Sequence, residues 1–155
     1  MSGAARPRGA HEAEAHPPGP GGGAPGAGSD PRAAAGCILV VEDDEAIRRV
    51  VALALADEGY GVTVAPDGRA ALERLRYHRP RLILLDMRMP EMDGWEFARR
   101  YRARPGPYAP IICVTAAVDA AAWGAQIGAA ASLGKPFDLD DLLAIVDRYA
   151  RPARR

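Results

Sequence analysis

The stretch Leu82-Ile-Leu-Leu-Asp86 constrains the chain more than any other, because four consecutive large aliphatics run directly into a carboxylate. A run of that kind reads as a strand buried on both faces, at home in a parallel sheet covered by helices. In such sheets ligands and chemistry collect beyond the carboxyl ends of the strands, so Asp86 stands where a reacting group is expected. Pro90 and Gly94 then rule out an immediate regular continuation and leave an accessible loop. Taken alone, Asp86 suits equally well a strand-end residue that bonds its own loop.

The rest of the chain arranges itself around this strand. Residues 1–36 are dominated by Gly, Pro and Ala and hold almost no large apolar side chain. They cannot bury enough surface to offset their ordering entropy, so a disordered tail is expected. His11 and His16, with Glu12 and Glu14 nearby, could form a metal-binding tract there, but a solvated tail is the better reading. One domain is expected over 37–150, followed by a short basic tail over 151–155. Within it, strands are predicted at Cys37–Val41, Gly61–Ala65, Arg81–Asp86, Pro110–Thr115 and, weakly, Ala130–Leu133. Helices are predicted from Asp44 as N-cap to near Gly59, at Asp67–Tyr77, from near Asp93 with Phe97, Ala98 and Tyr101 inward, at Asp119–Ile127, and at Asp138–Ala150. On the last helix Leu139, Leu142, Leu143, Val146 and Tyr149 are expected inward. Uninterrupted alternation of five such units makes an α/β domain with a parallel sheet between helices.

The 20 basic and 20 acidic side chains of the 155 residues cancel, which offers no general attraction to nucleic acid or an anionic membrane. No apolar run approaches a membrane span and the N-terminus lacks a signal peptide's apolar segment, so a cytoplasmic location is the default expectation. Cys37 and Cys113 lie in apolar strand-like runs and read as buried core residues without a disulfide. Of the basic residues, 19 are arginine and the single lysine is Lys135. A lone lysine points to a position that needs a compact ammonium rather than a planar fork, with chance retention as the alternative.

Three predicted strands end in polar residues suited to one chemistry. Asp43 and Asp44 follow the first, Asp86 ends the third, Thr115 ends the fourth, and Lys135 follows the fifth. A parallel sheet brings these to a single crevice. Carboxylates that close together require a cation, and hard oxygen ligands with room for water suit Mg²⁺, with the backbone carbonyl of Arg88 completing the shell. A metal there would screen an incoming phosphoryl group and leave Asp86 to attack it as a nucleophile, giving an acyl phosphate. Lys135 would balance phosphoryl charge and the Thr115 hydroxyl would donate to a phosphoryl oxygen. Singly, these residues have plain structural readings as helix caps, a strand end and a surface charge.

Val41-Glu-Asp-Asp44, Leu85-Asp-Met-Arg-Met-Pro-Glu-Met-Asp-Gly94, Val114-Thr-Ala116 and Gly134-Lys-Pro-Phe137 together resemble the motifs of the receiver domain of two-component response regulators, across Cys37 to Ala150. The resemblance implies a flavodoxin-like, doubly wound five-stranded parallel sheet of order 2-1-3-4-5 with helices on both faces. It implies that Asp86 takes a phosphoryl group from a sensor histidine kinase or phosphotransfer protein. Asp43, Asp44, Asp86 and the Arg88 carbonyl would hold Mg²⁺, while Thr115 and Lys135 contact the phosphoryl group. It implies a cis bond before Pro136, and a signalling domain rather than an enzyme, limited to its own phosphotransfer and autodephosphorylation. It further implies a downstream protein partner, with a phosphorylation-dependent homodimer as another assembly. One position departs from the pattern, because Ser132 stands where receivers carry an aromatic residue that turns inward. The signal is therefore expected to travel through Thr115 to Ile127 alone, with Ser132 as small strand filler or an added hydroxyl contact. Arg88 and Ala117 occupy positions that tune phosphoryl lifetime in the family, and Arg88 would pair either with the phosphoryl group or with Glu91.

A Rossmann-type nucleotide domain would need a glycine-rich turn after the first strand, where Glu42-Asp-Asp44 stands instead. An aspartate-nucleophile phosphatase would need a second Asp where Arg88 stands. A receiver-like protein-binding module that works without phosphorylation is the main alternative. No output domain is expected within the chain, and the face around the last two helices and Trp123 is the expected partner surface.

Overall fold

The computed structural model describes residues 36–150. The expected tails over 1–35 and 151–155, with His11 and His16, lie outside the described residues. Five strands alternate with five helices: β1 Ile38–Val41, α1 Glu45–Asp57, β2 Val62–Ala65, α2 Gly68–Arg74, β3 Leu82–Asp86, α3 Gly94–Arg102, β4 Ile111–Ala116, α4 Ala117–Gln126, β5 Ala131–Lys135 and α5 Leu139–Ala150. All neighbouring strands pair in parallel, in the order β2-β1-β3-β4-β5. The chain therefore leaves from β1 to one side and returns past it to β3, which opens the crevice at the carboxyl ends of β1 and β3.

The three central strands divide their side chains between two cores. Ile38 and Val40, Leu82 and Leu84, and Ile112 and Val114 face one side, where Leu55, Leu142 and Val146 of α1 and α5 cover them. Leu39 and Val41, Ile83 and Leu85, and Ile111 and Cys113 face the other, under Ala71, Phe97, Ala98 and Tyr101 of α2 and α3. Burial on both faces explains why these strands are unbroken aliphatic runs, since the pleat sends alternate residues to opposite sides and both sides are dry.

Three helices start on aspartate caps. Asp44, Asp67 and Asp93 accept from the backbone amides of Ile47, Ala70 and Glu96, each satisfying one of the amides that a helix start leaves unbonded. Helix α4 differs, because it begins directly after Ala116 with no side-chain cap.

The elements depart from expectation in a few places. Strand β5 extends through Gly134 to Lys135, because Ala116 of the longer β4 pairs with Lys135. Helix α2 stops at Arg74, with turns rather than helix through Tyr77. Leu139, expected inward, is 37% exposed at the first turn of α5. Cys37 is only partly covered, while Cys113 is buried as expected.

Candidate functional site: an acidic crevice closed by one lysine

The crevice is built by strand ends. Asp86 is the last residue of β3, pairs with Val114, and is 5% exposed. Glu42 is the first residue past β1 and 4% exposed. Oxygens of Glu42, Asp43 and Asp86 lie within 4.8 Å of one another, with Asp43 facing solvent. Lys135, at the end of β5, crosses to them, its Nζ donating to Glu42 Oε2 at 2.7 Å and to Asp86 Oδ2 at 3.3 Å. Thr115 is buried in β4, one residue beyond the partner of Asp86 and paired with Gly134.

One expected residue stands elsewhere. Asp44 was expected beside Asp43 and Asp86 as a metal ligand, but it is turned away to cap α1, and Glu42 takes its place in the trio. The reason lies in the backbone at the end of β1. Asp44 has extended dihedrals and its side chain is committed to the Ile47 amide, whereas the Glu42 carboxylate folds back to accept from the Asp44 amide at 3.2 Å. Glu42 is also fixed through its carbonyl, which accepts from Arg48 Nη1 at 2.9 Å. The signal was available in the sequence, since Glu42 is the first polar residue after the aliphatic run.

The loop after Asp86 is held close. The Arg88 amide donates to Asp86 Oδ1 at 3.2 Å and the Gly94 amide to the Met87 carbonyl at 2.9 Å. A Cβ on Gly94 would come within 2.8 Å of Met87 Cα and 3.0 Å of the Asp86 carbonyl, so only glycine lets α3 start this near the carboxylate. The Arg88 guanidinium pairs with neither Glu91 nor a carboxylate of the trio. It lies 5.0 Å over the ring of Trp123 in α4. That ring meets Trp95 edge-on at 4.8 Å, and Trp95 donates to Gln126 at 2.8 Å. Trp123 is thus a partly exposed strut between α4, the start of α3 and the loop after β3.

The Asp86 carboxyl is pushed up to about 7, by burial first, then by the charge of Glu42 and by the Asp43 carboxyl, against the pull of Lys135 and the Arg88 amide. For Lys135, burial lowers the ammonium's proton affinity, but the hydrogen bond to Glu42 and the charge of Asp86 more than reverse this and hold it above its ordinary range. The trio carries more negative charge than one ammonium balances. Oxygen donors of this kind, one of them open to solvent, fit a hard divalent cation that keeps part of its water shell. The same environment silences Cys113, whose thiol is pushed up to about 11 by burial and by Asp86.

The response regulator receiver domain model matches residues 38–147. The chain belongs to that family. Over 109 residues, 69% of its length, this receiver is 42% identical to Response regulator MprA of Mycolicibacterium vanbaalenii and covers 47% of it. Over 115 residues, 73% of its length, it is 41% identical to the DNA-binding transcriptional regulator NtrC of Escherichia coli K12 and covers 24% of that protein. The chain thus spans about half or less of these curated relatives. The receiver also matches the chemotaxis response regulator CheY4 of Vibrio cholerae with a TM-score of 0.67 and 34% identity, over 74% of this chain and 98% of that one. It matches the signal receiver domain of a histidine kinase from Syntrophus aciditrophicus with a TM-score of 0.69 and 31% identity, over 77% and 93%. A two-component receiver role, with the five-stranded order expected from the motifs, is the shared conclusion.

Proposed function

We propose that Asp86 is the phosphoacceptor of this receiver and takes its phosphoryl group from a phosphohistidine on a sensor kinase or phosphotransfer protein. The observation that carries the reading is the convergence of Glu42, Asp43, Asp86 and Lys135 at one end of the sheet. In the transfer a carboxylate oxygen of Asp86 forms a bond to phosphorus as the bond to the histidine nitrogen breaks, and the imidazole keeps that electron pair. Lys135, already within reach of Asp86, balances the arriving negative charge, and Thr115 supplies a hydroxyl donor. Glu42, Asp43, Asp86 and the Arg88 carbonyl would hold Mg²⁺, which when bound screens the phosphoryl group from the carboxylates.

The conformational consequence runs through β4 and α4. Beneath α4, a Cβ on Gly124 would meet Ser132 Oγ at 2.0 Å and Cys113 Cβ at 3.4 Å, so the helix sits too close to β5 for an inward aromatic at position 132. Phosphorylation would instead be relayed by Thr115 and by the Arg88–Trp123 contact to α4, whose exposed side, including Val118 at 91% exposure, is offered to a downstream protein. A phosphorylation-dependent homodimer through that side is the other assembly consistent with it. The balance of charge favours a protein over nucleic acid as direct partner, and a cytoplasmic setting agrees with the described helices, none of which is long and apolar enough to cross a membrane.

Intact mass after incubation with acetyl phosphate and Mg²⁺ tests the assignment. A hydroxylamine-labile phosphate adduct is expected on the wild type and absent from Asp86→Asn. The close seat of α4 on Ser132 favours, as second reading, a binding module that works without phosphorylation; an unmodified wild type under these conditions would select it.

A further inference from the structure

At the sheet edge opposite Asp86, the end of α2, the entry to β3 and the α3–β4 loop enclose a cleft of about 640 Å³, within the size range of small-molecule sites. Four arginines, Arg76, Arg79, Arg81 and Arg104, line it together with His78, and no carboxylate does. Arg76 is bonded to Glu73 at the surface. None of the other three has a carboxylate partner among the described residues. Arg81 donates from Nη1 to the Ala150 carbonyl at 2.7 Å while its buried Nε lacks an acceptor, and Arg104 reaches the Leu75 carbonyl at 3.4 Å. The carboxyl ends of α2 and α3 meet here too. These two ends, and that of α5 on which Arg81 sits, bring about half a negative charge each, so even with Glu73 counted the cleft keeps a surplus of about one and a half positive charges.

The walls are stiff. Pro105, Pro107 and Pro110 fix the α3–β4 loop, the Tyr108 hydroxyl donates to the carbonyls of Arg102 and Arg104, and the Ala109 amide donates to the Tyr101 hydroxyl at 2.7 Å. A ligand entering therefore pays little for ordering the protein. At the mouth, Tyr77 is 76% exposed, with the Arg76 guanidinium 5.9 Å from its ring centroid, so the ring already stands in a basic setting. Guanidinium forks match phosphate oxygens in pairs, and an exposed aromatic ring offers a stacking platform for a planar base.

We propose that this cleft is a second binding site, separate from the phosphoacceptor, which takes a nucleoside polyphosphate with its phosphates on Arg79, Arg81 and Arg104 and its base on Tyr77. Calorimetric titration of the full chain with ATP, in EDTA and at physiological ionic strength, tests it. EDTA keeps the nucleotide from the carboxylate trio, and Asp86→Asn is expected to bind ATP as the wild type does, so this result is independent of the phosphoacceptor assignment. Saturable one-to-one binding is expected, weakened about tenfold in the exposed-site variant Arg79→Ala and further with Arg104→Gln, both checked for unchanged ellipticity. Inorganic tripolyphosphate should bind more weakly than ATP, and Tyr77→Ala should erase that preference. The proposal is overturned by absence of saturable binding, by affinity unchanged in the arginine variants, or by equal binding of tripolyphosphate, which would mark a plain anion patch. Displacement of ATP by a poly-glutamate peptide at lower concentration would overturn it in favour of a protein ligand.

Discussion

At Glu42 and Asp44 two similar carboxylates two residues apart take unrelated jobs, one facing the crevice and one holding the start of a helix. Their variants should separate accordingly. Asp44→Ala is expected to lower stability by about 1 kcal/mol through the lost cap and to leave Mg²⁺ binding intact, as followed by tryptophan emission from Trp95 and Trp123 beside the site. Glu42→Gln should weaken Mg²⁺ binding in the same titration. Asp86 gives a pH dependence of definite sign. Its folded-state carboxyl, at about 7, lies above its unfolded range, so the ionised form opposes folding at pH 8 and that opposition fades as pH falls through 7 toward 4. Without metal, Asp86→Asn should therefore be more stable than the wild type at pH 8, by on the order of 1–4 kcal/mol. The difference should close near pH 4 and shrink at pH 8 when Mg²⁺ is added, all read from urea denaturation midpoints.

The five helices are not equally anchored. Helices α1, α2 and α3 each begin on an aspartate that bonds the first turn, while α4 begins on Ala116 with nothing to hold its opening amides. Its first turn begins two residues after Thr115, so a helix start without a side-chain cap adjoins the site. Hydrogen exchange should show the amide of Asp119, third in α4, opening faster than that of Ile47, third in α1 and bonded to the Asp44 cap. What α4 lacks in capping it recovers in close packing on β5. A Cβ at Gly134 would lie 2.6 Å from Ala117 Cα, against backbone that cannot step aside. Gly134→Ala is expected to destabilise the domain by roughly 1–3 kcal/mol, measurable as a lower urea midpoint, and to disturb the neighbouring Lys135.

Across the molecule, what could be read from the chain beforehand was whatever depends on local pattern. Buried strands announced themselves because both of their faces are dry, and the caps Asp44, Asp67 and Asp93 stood where the helical spacing began. Asp86 and Lys135 could be placed because parallel strands carry their ends to one edge. At the end of β1 the sequence carried half of the answer, Glu42 being the first polar residue after the aliphatic run, while the commitment of Asp44 to the Ile47 amide turns on one residue's backbone angles. Contacts between distant segments were equally hidden: Arg88 over Trp123 joins the loop after β3 to helix α4, and the arginines of the opposite cleft lie on segments about 25 residues apart. Replacing Trp123 with alanine should remove that strut and lower partner capture by the phosphorylated domain, with the Asp86 adduct still formed in intact mass.

Lys135 is the single lysine in the 155 residues and it sits across Glu42 and Asp86. Reagents directed at primary amines consequently have one side-chain target in the whole chain, and it is the counter-charge of Glu42 and Asp86. Acylating that nitrogen would silence the crevice while leaving every arginine untouched, so a simple chemical label becomes a stoichiometric gauge of whether the pocket is engaged.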